Sequence, residues 1–161
     1  MLTLAIDIES VKGFLDPAEG QALYDQCLIV GPIGPTVEIG SYCGKSTVYL
    51  GEACRQSGRS LFAVDHHRGS EEHQLGELYH DPTVFDADVG LIDTFRLFRQ
   101  TLRLADLESV VVPIVASTVV ASRDWQTPLG MVFIDGGHSF AAAQNDYDCW
   151  MPHIAHGGIL A

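Results

Sequence analysis

The chain has 161 residues, with 9 Lys and Arg against 21 Asp and Glu and a formal net charge of -12. That length makes one domain whose core needs no staples, and the negative balance argues against nucleic acid, whose phosphates it would repel. No apolar run approaches the ~20 residues that cross a bilayer, the carboxylates in "MLTLAIDIESVKGFLD" are wrong for a signal peptide, and Cys27, Cys43, Cys54 and Cys149 lack disulfide or zinc spacing. A cytoplasmic protein with reduced thiols, a small-molecule partner and no membrane contact is expected.

In chain order, residues 1–34 form a helical lead-in, with a helix over 17–30 opened by Asp16 and Pro17. "GPIGP" then breaks the chain. "TVEI" (36–39) is a short apolar strand ending on Gly40, and 45–58 is a helix that stops at glycine. "SLFAVD" (60–65) is a second strand. Residues 66–90 are polar and long for a connection, which suggests a substrate lid.

Helical periodicity resumes over 91–107. A strand (109–115), a short helix opened by Ser117 (117–125) and a strand (129–135) follow. The helix from 139 ends near Met151, ahead of Pro152, and "GGILA" (157–161) starts a fifth strand. Continuous apolar strands separated by helices indicate a mostly parallel, doubly wound α/β sheet, Rossmann-like, with helices on both faces. Ligands of such sheets bind beyond the carboxyl ends of the strands. The residues to inspect there are Glu38 to Ser41, Asp65 and His66, Ala116 and Ser117, and Asp135 to His138.

The turn "EIGSYCGKST" resembles three ligand loops. A phosphate-binding P-loop needs four residues between its glycines, whereas Gly40 and Gly44 enclose three. A dinucleotide turn needs a second glycine where Tyr42 stands, so a nicotinamide-dependent oxidoreductase is a weak alternative.

The third likeness is specific. "VEIGSYCGKSTVYLG" resembles the first motif of class I S-adenosylmethionine-dependent methyltransferases, acid-x-Gly-x-x-x-Gly-x-Ser/Thr. With "FAVDHH" and "VFIDGGHSFAAAQNDYDCW", residues 36–161 resemble the small-molecule O-methyltransferases that act on macrolide and aminocoumarin sugars. The resemblance implies methyl transfer to a hydroxyl, with S-adenosylmethionine contacted by Glu38, Gly40, Ser41, Gly44, Ser46, Asp65, His66, Ser117 and Asp135.

Their chemistry suits those parts. Gly40 and Gly44 permit a tight turn, and the helix start behind them offers N–H groups to a carboxylate. Ser46 and Thr47 are helix caps or hydroxyl donors, and Glu38 would take the cofactor's ammonium. Asp65, 25 residues after Gly40, stands where an acid chelates ribose hydroxyls. His66 would pack beside the ribose or adenine. Ser117 is an adenine contact, an N-cap, or both. The resemblance further implies His138 as general base and Asp135 as ligand of a divalent metal such as Mg2+.

A hard dication wants several oxygens and Asp135 supplies one. In the resembling enzymes the other acids follow the fifth strand, inside which this chain stops at Ala161. The C-terminal strands of the core are therefore expected to be missing, or a partner subunit, as in a homo-oligomer, covers the open edge. A cofactor-binding module without chemistry is the alternative to an enzyme. His66, His67, His73 and His80 could form a metal cluster, though thiolates are absent. Trp125, Trp150 and Phe140 are either pocket lining or core.

Overall fold

A computed structural model describes residues 2–70 and 81–161 of the chain. Its centre is a five-stranded, wholly parallel sheet in the order β5-β2-β1-β6-β7. The strands are β1 (Thr36–Ile39), β2 (Leu61–Val64), β5 (Val111–Ile114), β6 (Leu129–Ile134) and β7 (Ile154–Leu160). Two-residue strands β3 (Phe85–Asp86) and β4 (Leu91–Ile92) make a separate antiparallel pair. This is the expected doubly wound α/β architecture. From β1 the chain steps outward to β2 and β5, then returns to β1's other side for β6 and β7, so strand order switches between β1 and β6.

Helices α1 (Pro17–Val30), α2 (Lys45–Ser57) and α3 (Phe95–Leu104) contribute to the larger core on one face. Helices α4 (Thr118–Ser122) and α5 (Phe140–Trp150) accompany a second core containing Val37, Ile39, Val64, Leu129, Val132 and Trp150. β1 is buried at every position because both of its edges and both of its faces are covered.

Local chemistry sets the element ends. Asp16 and Glu19 form a reciprocal capping box ahead of α1, with Pro17 at its first position. Gly58 closes α2 in the left-handed region.

Several boundaries differ from the sequence reading. Residues 91–107 are not one helix: Leu91–Ile92 pair with Phe85–Asp86, and α3 starts at Phe95, whose N–H donates to Asp93 Oδ1 at 3.0 Å. The last strand begins at Ile154, ahead of its glycines, because the register shifts between Leu129 and Met131 and accommodates Gly157–Gly158 within the strand. Of the expected lid, residues 71–80, with His73 and His80, lie outside the described residues. Residues 82–84 make a 3-10 turn ahead of β3.

Candidate functional site

A cavity of about 470 Å³ opens at the carboxyl ends of the strands, across the β1–β6 switch. Of the residues singled out from sequence, it gathers Gly40, Asp65, His66, Ser117, Asp135 and His138. Glu38, Ser41, Gly44 and Ser46 do not line it; they build the turn beneath.

The turn's construction begins with Gly40. It lies at φ +83, and a Cβ there would come within 2.3 Å of the Asp135 carbonyl oxygen, so only glycine lets the β1 and β6 tips approach this closely. Gly40 donates to Val64 O at 2.9 Å, and Asp135 N–H donates to Ile39 O at 2.8 Å. Tyr42 also adopts a left-handed conformation, at φ 47. Tyr42 lines the cavity, and its ring stacks on Phe14 at 6.5 Å.

Asp65 holds this turn in place. Its Oδ2 accepts from the N–H groups of Ser41 (2.9 Å) and Tyr42 (2.8 Å), and its Oδ1 from His67 N–H (2.7 Å). A carboxylate has about four acceptor directions. Asp65 therefore braces three amides and still presents acceptor capacity to the cavity it lines.

Glu38 is fully buried. Ser46 Oγ and Thr47 Oγ1 each donate to it at 2.6 Å, tying the start of α2 to β1. These hydroxyls thus serve the strand carboxyl and do not cap the helix, whose N-cap position is Gly44. Desolvation pushes the Glu38 carboxyl up to about 7 despite the opposing hydroxyls. Ser41 Oγ lowers that value from nearby but makes no geometrically sound hydrogen bond, and it is buried without such a partner among the described residues.

On the β6 side, Ser139 accepts from Ala142 N–H at 3.2 Å and starts α5, which places His138 on the cavity rim. Asp135 is solvent-accessible, yet the surrounding protein still raises its pKa, with His138 acting in the opposite sense. His66 lines the cavity, and its Nδ1 accepts from Arg68 N–H at 3.0 Å. His67 points into the core and meets Thr94 Oγ1 at 2.7 Å; burial lowers its pKa.

Ser117 occupies the N-cap position of α4 without a side-chain capping bond, and lines the cavity. Trp125 and Trp150 are core, not pocket lining: they pack edge-on at 5.2 Å, and Trp125 meets Phe62 at 4.9 Å. Phe140 is 84% exposed. Among the described residues no three His, Cys, Asp or Glu side chains group as a metal site.

The cavity also holds groups the sequence reading did not assign to it, among them Tyr42, Thr94, Asn145 and Asp146. Asp146 is buried on α5, and burial raises its pKa while nearby Thr118 and His66 act in the opposite sense. Its spacing was a usable signal: Ala142, Asp146 and Trp150 recur every four residues, one face of a helix.

A protein family described as "Methyltransferase domain" matches residues 37–161. Similar solved structures include a putative caffeoyl-CoA O-methyltransferase from Staphylococcus aureus, 14% identical over 95% of this chain and 59% of that one, TM-score 0.63. Another is an O-methyltransferase from Bacillus cereus in complex with SAH (17% identity, 88% and 54% covered, TM-score 0.61). A third is TomG from Streptomyces achromogenes, an O-methyltransferase involved in tomaymycin synthesis, in complex with SAM (15% identity, 91% and 55% covered, TM-score 0.64). At such identities the likeness shows the fold. The chain spans less than two thirds of each of these three proteins.

Proposed function

Since the chain belongs to the methyltransferase-domain family, we propose that its cavity binds S-adenosylmethionine and that the protein directs methyl transfer to a hydroxyl of a small molecule. The observation that carries this reading is the convergence of Gly40, Asp65, His66, Ser117, Asp135 and His138 on one cavity at the strand-order switch. Five of the similar structures carry SAM or SAH in their descriptions or are described as cofactor-bound, which supports the same ligand here.

The sulfonium supplies an activated methyl group; the chain supplies placement and proton management. The Gly40–Gly44 turn and the start of α2 would take the methionine carboxylate. Asp65 uses its remaining acceptor capacity for ribose hydroxyls while its amide bonds keep the turn in shape. His138, at the rim, would take the proton of the acceptor hydroxyl as that oxygen bonds to the methyl carbon and the methyl–sulfur bond breaks, leaving a neutral thioether.

A divalent metal is a separate matter. Asp135 is the one carboxylate of the implied set at hand, and a hard dication takes six or more oxygens. Among the described residues no such oxygen set is grouped.

The test is calorimetric titration with S-adenosylhomocysteine, with and without magnesium and beside NAD, followed by methyl transfer to a panel of phenolic and sugar hydroxyls. Saturable binding of the homocysteine, none of NAD, and turnover that falls about 10²–10⁴-fold in His138→Ala with unchanged binding are expected. Asp65→Ala is a poor probe, because it also removes the acceptor of three amides. Binding without turnover on the whole panel would favour a cofactor-binding module, and no binding by folded protein would end the reading.

A further inference from the structure

Among the described residues, three that are not glycine take up the left-handed backbone: Tyr42 at φ 47, His67 at φ 57 and Asp106 at φ 55. Such strain persists only where the surroundings over-determine it, and it gathers at functional sites. Tyr42 lines the cavity as part of the turn after β1. His67 is 2% exposed, stays behind the cavity wall and has no part in the proposed reaction.

The surroundings of His67 do over-determine it. Its N–H donates to Asp65 Oδ1 at 2.7 Å, and its carbonyl accepts from Thr94 N–H at 3.2 Å. The imidazole Nδ1 and the Thr94 hydroxyl oxygen lie 2.7 Å apart, and the ring tilts against Phe95 and Phe98 with both centroids 5.1 Å away. Beside it, Arg68 Nη1 donates to Ile92 O at 3.2 Å. The chain that leaves β2 is thereby fastened to the chain that returns to start α3.

α3 in turn presses on the turn after β1. Thr101 Oγ1 donates to Cys43 O at 2.7 Å, and a Cβ built on Gly44 would stand 3.2 Å from the Thr101 methyl and 3.3 Å from the Phe98 ring. Asp65 already holds the amides of Ser41 and Tyr42. The contacts therefore close a circuit that runs from the turn to Asp65, His67 and Thr94, along α3 to Thr101, and back to Cys43. His67 is the link in it between the strand-end acid and α3.

We infer that His67 is a positioning residue for the Gly40–Gly44 turn, acting through Thr94 to make α3 a brace that keeps this backbone in the shape a ligand meets. The inference rests on the proposed cofactor reading and deepens it, by assigning the geometry of the turn to a side chain outside the cavity.

The test compares wild type with His67→Ala, His67→Asn, Thr94→Val and Thr94→Ser, with circular dichroism and thermal melting to establish folding. Two quantities are read on folded protein: amide hydrogen exchange of residues 40–44 without ligand, and the dissociation constant of S-adenosylhomocysteine. Asn tolerates the left-handed backbone, and its carboxamide puts a polar atom where Nδ1 stands, so it keeps a bond to Thr94 while losing the ring. His67→Ala should speed exchange and weaken S-adenosylhomocysteine by ~10-fold each, the scale of one lost hydrogen bond, whereas His67→Asn should stay within about 3-fold of wild type. Thr94 makes no side-chain cap bond to α3, so Thr94→Val should speed exchange like His67→Ala, and Thr94→Ser should not. Should His67→Ala fail to fold, that Thr94 pair decides, and equal exchange in the two overturns the inference. Wild-type exchange in folded His67→Ala overturns it as well. So does His67→Asn behaving like His67→Ala, which would reduce the ring to core filling, or faster exchange with unchanged affinity, which would make the role structural only. If folded wild type binds no S-adenosylhomocysteine, the cofactor reading falls, while exchange alone decides whether His67 braces the turn.

Discussion

At the scale of single residues, the site rests on carboxyl groups given different surroundings. Glu38 is the case with a measurable consequence. Its folded pKa of about 7 lies above the ordinary 4.5, so its neutral form stabilises the fold fully below pH 4.5, and that contribution is lost as pH rises through about 7. The size is on the order of 3 kcal/mol. Glu38→Gln keeps the shape but cannot ionise, so relative to wild type it should gain stability between pH 5 and pH 8. Urea unfolding at both pH values checks this, and an identical difference at the two would show that Glu38 is charged throughout. The identity of Glu38 and Asp65 as strand-end acids was legible in the sequence because strand ends announce themselves. Their loads were not. That Asp65 holds the amides of Ser41, Tyr42 and His67 depends on β2 lying beside β1, a long-range fact. Asp146 has no role in the sequence reading, although its helical spacing from Trp150 places it on the inner face.

Among elements, strands and helices were legible where one rule dominated and not where two competed. α1 carries its capping box and Pro17 in plain view. Over 91–107 the apolar period runs unbroken, yet Ile92 is buried against β3, and Asp93 marks the true helix start. In β7 the glycine pair looked like a strand's beginning. It lies inside, where a Cβ at Gly158 would come within 2.9 Å of Gly130 O. The α1–α2 contact gives a test of such close approaches. A Cβ at Gly20 would fall 2.3 Å from the Tyr49 ring. Helix propensity alone favours Gly20→Ala by about 1 kcal/mol. Overpacking against Tyr49 should outweigh it, for a net loss of about 1–3 kcal/mol. Denaturant melts of Gly20→Ala, Tyr49→Ala and the double variant would show a partial rescue; strict additivity would mean the two helices simply separate.

For the molecule as a whole, a net charge of -12 on 161 residues makes self-repulsion a global term. Shortening the Debye length from about 30 Å to about 8 Å, by raising salt from 0.01 M to 0.15 M, should raise the melting temperature by about 2–4 °C, equivalent to ~1 kcal/mol at this size. A flat response to salt would mean that local pairing already neutralises the charge. The strand order that creates the cavity has a kinetic side as well. β1 pairs on one edge with β2, close by in sequence, but on the other with β6, roughly ninety residues later. At a synthesis rate of about 5–20 residues per second, that second edge has no native partner for about 5–20 s after β1 is made. Such distant parallel pairing is also slow to form on refolding. The apolar run "TVEI" would spend that interval open to pairing with other nascent chains, so chaperone supply during translation should govern the soluble yield.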